Sequence, residues 1–307
     1  MKQVKFGKTS LTVPAVVSGC MRFSNKTPRE IGAFIDHAVS LGINFFDHAD
    51  IYAGGACEEL FGEALEKYSS VKREDLIIQS KCGIVIGKMF DFSKEHIIAS
   101  VEGSLKRLKT DHLDVLLLHR PDALVEPEEV AEAFDRLEES GKVRYFGVSN
   151  HKPMQIELLK RCLRQEIQAN QLQFGIGAAQ MVANGLEVNM ETYGATDRDG
   201  SVLDYSRVND ITIQAWSPYQ LSRRRGQLIG SEELPELNAC LDALAEKYNT
   251  TPTAIAAAWV MRHPAGIQLV AGTTSEPRLE EIAAGADIVL TREEWYSVLL
   301  KAGHILP

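Results

Sequence analysis

Short apolar runs recur along the chain: AVVSGC from Ala15, INFFDHA from Ile43, DLIIQSK from Asp75, LDVLLLH from Leu113, KVRYFGVSN from Lys142, IQANQLQF from Ile167, ITIQAW from Ile211 and IQLVAG from Ile267. They are nearly continuous rather than alternating, which is the pattern of strands covered on both faces in a parallel sheet. Segments of helical period lie between them. In CEELFGEALEKY, Leu60, Phe61, Ala64, Leu65 and Tyr68 share one predicted face. Thr27-Pro28-Arg29-Glu30 reads as an N-cap, an N1 proline and an N3 glutamate; Thr251-Pro252 repeats the first half, and Thr291 with Glu294 forms another capping box. Eight strands alternating with helices, with no linker or low-complexity stretch, predict an α/β chain folded as one (β/α)8 barrel domain over residues 1–307. Residues 3–13, with Gly7-Lys8 at the turn, predict a hairpin capping the barrel's bottom. Residues 175–210 are polar and glycine-containing, without a clear period, and read as a helix plus an excursion near the sixth strand.

In such a barrel the site forms where strands end and the following loops begin. Asp47 closes the second predicted strand, Lys81 the third, His119 the fourth and Ser149-Asn150 the fifth, while Tyr52 stands at the entry to the helix after Asp47. Each alone has an ordinary explanation as a helix cap, an ion-pair partner or a core imidazole. Together a phenol, an ammonium, a carboxylate and an imidazole at neighbouring strand ends make a set suited to moving a proton to or from oxygen. A phenol titrates near 10, and a lysine a few ångströms away favours its phenolate, bringing it closer to use. Asp47 would hold the lysine charged, and His119 could orient a carbonyl. The set contains neither a hydride source nor a nucleophile, so a redox cofactor is implied.

FFDHADIYAGGACEELFGEAL, IIQSKCG, LDVLLLHRP, GKVRYFGVSN, NQLQF, QAWSP, PTAIAAAWVMRHP and VAGTTSEPRLEEI resemble, in order, the signature blocks of the aldo-keto reductases, most closely the bacterial oxidoreductase branch with DHADIY in its second block. The resemblance implies NADPH-dependent reduction of aldehydes or ketones to alcohols. Tyr52 becomes the general acid, with Asp47, Lys81 and His119 completing a tetrad. Ser149, Asn150 and Gln171 match positions that hold the nicotinamide carboxamide, and Trp216 the aromatic that stacks on the ring, with Ser217, Pro218 and Leu221 beside it in the cofactor-binding set. Residues 272–278, with Gly272, Thr273, Thr274 and Arg278, match the segment that holds the adenosine phosphate, and Glu281 the adenine contact. Gly272 and Ile282 replace a lysine and an asparagine that many members carry, so the expected preference for NADPH over NADH rests on Thr273, Thr274, Ser275 and Arg278. His48 replaces a common threonine. Adjacent to Asp47 on a strand, it should face the helix layer and be structural.

Charge and composition narrow the alternatives. With 42 acidic and 33 basic residues the formal charge is -9, which disfavours nucleic acid or anionic membrane as partner and leaves a small molecule. The start has no apolar segment of signal-peptide length, and no run of 18 apolar residues occurs, so a cytoplasmic protein is expected. The five cysteines are widely spaced without C-x-x-C, which reads as reduced packing thiols rather than disulfides or zinc ligands. A metal-dependent hydrolase could use Asp47, His48 and His119, but an H-x-H strand and a late strand-end histidine are missing, so no metal is expected. GIGAAQ lacks the third glycine of a dinucleotide fingerprint, and GIVIGKM has a short spacing and Met89 where a P-loop needs Ser or Thr. SRRRG from Ser222 reads as a solvated loop able to approach a pyrophosphate. Met21, Arg22, Phe23, Arg120 and Tyr219 are expected on the substrate loops, and the short tail GHILP implies an open, tolerant site. The family resemblance implies a monomer. A second reading, from another class, is a nicotinamide-sensing binding subunit with slow turnover.

Overall fold

In the computed structural model, which describes residues 1–221 and 226–306, the eight apolar runs become eight parallel strands hydrogen-bonded into a closed ring. The strands in chain order are β1 (Gln3–Lys5), β2 (Thr12–Pro14), β3 (Val16–Gly19), β4 (Phe45–Asp47), β5 (Ile77–Cys82), β6 (Ile84–Val85), β7 (Met89–Phe90), β8 (Leu113–Leu118), β9 (Val143–Ser149), β10 (Ile167–Gln173), β11 (Thr212–Trp216) and β12 (Gln268–Ala271). The ring runs β3, β4, β5, β8, β9, β10, β11, β12 and closes back on β3. The two remaining pairs are antiparallel hairpins. β1 with β2 is the expected cap at the bottom, where the Gly7 amide donates to Thr212 Oγ1 at 2.7 Å and the turn packs on Gln168. β6 with β7 stands on the loop after β5, in place of any phosphate loop.

The helices are α1 (Pro28–Ser40), α2 (Ala56–Lys67), α3 (Lys94–Leu108), α4 (Pro127–Glu139), α5 (Pro153–Lys160), α6 (Gln180–Leu186), α7 (Val202–Val208), α8 (Pro235–Lys247), α9 (Pro252–Met261), α10 (Glu276–Gly285) and α11 (Arg292–Lys301). Their starts follow the local signals. Thr27 and Thr291 form capping boxes with Glu30 and Glu294, and Thr251 caps α9 alone. Residues 175–210 hold the expected helix, α6, and an irregular excursion over residues 187–201, followed by a second short helix, α7, that packs on β11. On α2 the buried face is Cys57, Phe61 and Ala64, whereas Tyr68, expected on that face, caps the C-terminus and is 44% exposed. Glu58 is fully buried on the same helix, because Ser80 and Arg107 reach it from β5 and α3 at 2.6 and 2.8 Å.

The barrel interior is unexpectedly polar beneath the site. β5, β10, β11 and β12 each send one glutamine inward, and Gln79, Gln171, Gln214 and Gln268 form a hydrogen-bonded chain that ends on the Pro14 carbonyl. Each donor and acceptor named is paired, which is what allows amides in a buried layer. This polar floor fixes the height and aim of the carboxylate above it.

Candidate active site

Asp47 is the last residue of β4 and points into the ring. Its Oδ1 accepts from Gln79 Nε2 at 2.6 Å and from Gln171 Nε2 at 3.1 Å, and its Oδ2 lies 2.8 Å from Lys81 Nζ. Lys81, at the end of β5, is almost wholly buried. Its ammonium has three protons, and three acceptors surround it: Asp47, the His48 carbonyl at 2.7 Å and the Tyr52 hydroxyl at 3.0 Å. Tyr52 therefore accepts a bond from Lys81 through its oxygen, and its own proton remains to be given elsewhere. The helical turn that carries Tyr52 is held by the Asp50 amide, which donates to the Lys81 carbonyl at 3.0 Å.

Burial and charge oppose each other in this cluster. For Lys81, burial works against the ammonium, but Asp47 and Tyr52 outweigh it, and its pKa ends above the ordinary lysine value. For Tyr52, burial comes first and Lys81 second, so the phenol titrates above its ordinary value. Lys81 does draw Tyr52 toward the phenolate, as the sequence predicts, but burial outweighs it and keeps the proton on the phenol. His119 follows β8, edge-on to Tyr52 with ring centroids 6.1 Å apart. Burial, then Lys81 and Arg120, pull its pKa down to about 3, so it is a neutral imidazole. His48 points the other way, 4.6 Å centroid to centroid from Phe61, in the layer between barrel and helices. Asp47, His48 and His119 thus do not converge on one point.

Around the cluster, Ser149 Oγ donates to the Gln171 carbonyl at 2.9 Å, and Asn150 Nδ2 donates to Ser149 Oγ at 2.7 Å. Asn150 adopts a left-handed φ of 61°, which turns its amide inward, and its Oδ1 accepts from Trp216 Nε1 at 3.1 Å. Gln171 commits its amide nitrogen to Asp47 and Gln214. Trp216 keeps part of its indole exposed where β11 ends. Ser217, Pro218 and Leu221 continue from it, and an added Cβ at Gly175 would lie 2.2 Å from the Pro218 carbonyl, so only glycine lets the two loops meet. Arg223, Arg224 and Arg225 of the SRRRG run, with Ser222, lie outside the described residues.

On the loop after β12, Gly272 accepts a hydrogen bond from Arg22 through its carbonyl, and the Arg22 guanidinium fills the space a side chain at 272 would need. Thr273 and Thr274 follow, half-buried. Thr273 Oγ1 accepts from the Ser275 amide at 3.1 Å, and Ser275 begins α10 without a side-chain cap. Arg278 is exposed one turn on, with no ion pair among the described residues. Glu281 is half-buried near Tyr219, and Ile282 is buried in the helix layer. Phe23, expected at the mouth, instead packs in the core against Phe34 and Phe61 and does not line it. Sequence reasoning also missed Gln79, Gln214 and Gln268. One glutamine at a matching depth in each of several otherwise apolar strands was the available signal.

This donor set suits a long anionic ligand with a flat ring: a partly exposed indole at the end of β11, and on the loop after the neighbouring β12 hydroxyls, an open helix start and a guanidinium without an ion pair among the described residues. Comparison with known proteins agrees. The family model described as the aldo/keto reductase family matches residues 15–299. The chain is 34% identical to the uncharacterized oxidoreductase YcsN of Bacillus subtilis, covering 95% of each, and 35% identical to the oxidoreductase YdhF of Escherichia coli, covering 92% of this chain and 91% of the relative. It is 32% identical to a 6-dehydroglucose reductase of Agrobacterium fabrum, covering 94% of each. Among solved structures, a thermostable aldo-keto reductase crystallised with epalrestat superposes with a TM-score of 0.79 at 26% identity, covering 98% of this chain and 100% of that one. An aldo-keto reductase from Klebsiella pneumoniae in complex with NADPH gives 0.76 at 26% identity, covering 97% and 93%.

Proposed function

The chain belongs to the aldo/keto reductase family, and we propose that it reduces aldehydes or ketones to alcohols with a reduced nicotinamide dinucleotide, NADPH in preference to NADH. The observation that carries this reading is the triple engagement of Lys81, whose three protons go to Asp47, the His48 carbonyl and Tyr52, leaving the Tyr52 proton as the one directed outward.

When bound, the reduced nicotinamide supplies the hydride that the side chains lack. The rest is the work of the chain. Tyr52 meets the carbonyl oxygen as a neutral donor and gives up its proton as negative charge develops there; the general-acid contribution of such a group is typically about a hundred-fold or more. Lys81 carries a full charge beside the phenol oxygen and stabilises the phenolate left behind. Asp47, fixed by Gln79 and Gln171, prevents Lys81 from swinging away. His119, neutral, can donate a ring N–H toward the same oxygen without competing as an acid. Trp216, anchored to Asn150, offers a fixed flat surface for a planar ring, and Thr273, Thr274 and Arg278 offer partners for a ribose phosphate. The NADPH held by the Klebsiella relative and the sugar carbonyl in the name of the Agrobacterium relative support the same assignment. One ring of strands around one contiguous buried core supports treating the chain as a single domain.

The test is direct titration of the purified protein with NADPH and NADH, followed by oxidation of each in the presence of reactive aldehydes, diketones and quinones. Tight NADPH binding with oxidation that requires a carbonyl supports the reading. Binding without turnover across the panel would favour the sensing subunit, and no binding would refute both.

A further inference from the structure

Arg120 directly follows His119 on the loop leaving β8, and the reaction above gives it no task. Its guanidinium carbon lies 5.6 Å from the centre of the Trp216 ring, and the group is half-buried, near enough to act electrostatically on both Tyr52 and His119. Among the described residues it forms neither an ion pair nor a hydrogen bond. An arginine remains charged in any such setting, and partial desolvation without a counter-charge is unfavourable. The Trp216 ring beneath it offers a cation–π contact but no counter-charge. The nearby Asp47 carboxylate is already engaged by Lys81 and is not paired with Arg120.

We propose that Arg120 binds a carboxylate on the substrate, so that the preferred substrates are aldehydes or ketones carrying a carboxylate a short distance from the carbonyl. The inference rests on the reductase reading and specifies its substrate class. A planar guanidinium pairs with a carboxylate through two parallel N–H bonds, which would also fix the carbonyl relative to Tyr52. Two rival tasks are less well placed. The cofactor phosphates are served by the loop after β12, and in the ring order β8 and β12 stand directly across the barrel from one another. Orientation of the indole is already provided by the Trp216 bond to Asn150.

The experiment compares succinic semialdehyde with its neutral amide in wild type, Arg120→Gln and Arg120→Lys, with NADPH affinity measured for each protein. Wild type should favour the carboxylate. In Arg120→Gln the carboxylate-to-amide ratio of kcat/KM should fall about thirty-fold, the scale of one charged hydrogen-bonded pair, and Arg120→Lys should recover part of it. A wild type without preference, or an equal fall on both substrates, would overturn the proposal in favour of a purely structural arginine. If neither these aldehydes nor the wider carbonyl panel is reduced, the reductase reading fails, and titration with glutarate, an unreactive dicarboxylate, decides the anion site alone: binding to wild type that Arg120→Gln loses upholds it, and no binding overturns it.

Discussion

At Tyr52 two effects of opposite sign meet, and burial prevails over an ammonium 3.0 Å away. A protonated phenol is the form an acid needs, so the balance favours reduction. His48 shows the other use of burial. Both its ring nitrogens lack partners among the described residues, it packs among Phe23 and Phe61, and burial followed by Lys81 pulls its pKa down to about 3. Together with His119, and with His151 at about 4, it stays neutral in the native state while the unfolded chain protonates near 6.5. Such groups contribute stability in full above about 6.5 and lose it as pH falls toward their folded values. His48→Phe should therefore fold and should flatten the acid limb of the stability curve, measured by urea unfolding between neutral and acid pH. A variant with an unchanged acid limb would show that His48 is protonated in the fold.

At the scale of elements, α2, β5 and α3 are joined by the buried Glu58, which Ser80 and Arg107 satisfy. Removing the cation strands a buried carboxylate, so Arg107→Met should cost about 3 kcal/mol or more in urea unfolding. The same interface explains Gly62, where an added Cβ would lie 2.4 Å from the Arg107 carbonyl. Gly62→Ala should separate α2 from α3 and destabilise the chain without touching the cofactor groups. These elements also mark the boundary of what the sequence disclosed. The helix was legible because its period is local; the burial of Glu58 was not, since its partners arrive from other elements. The capping boxes at Thr27 and Thr291 were legible for the same local reason. Phe23 was misplaced at the mouth because the loop after β3 turns it back onto Phe34 and Phe61.

Over the whole molecule, strand ends that are far apart in sequence become one surface only because the ring closes, and the apolar runs announced that closure plainly. Asp47, Lys81 and His119 were readable as a cluster because β4, β5 and β8 are adjacent in the ring. The glutamine floor beneath them was not, because its members pair across the barrel interior. In residues 175–210 the helix and the excursion were legible, and the short α7 after the polar turns was not. The same closure brings the loop after β12 to the mouth, where the proposed reading gives Arg278 the 2'-phosphate. Arg278→Ala should reduce the preference for NADPH over NADH by about tenfold or more, as loss of one charge-assisted contact predicts. Equal affinities for the two cofactors in wild type would contradict that assignment.

The most direct test of the account as a whole is Tyr52→Phe, which removes one hydroxyl and leaves the ring packed beside Lys81. Its kcat for a reactive aldehyde should fall about a hundred-fold or more, while its NADPH affinity stays close to that of wild type, because the phenol acts in the transition state rather than in holding the cofactor. Near-normal turnover in that variant would show that the proton comes from another group and that the convergence on Tyr52 has been misread.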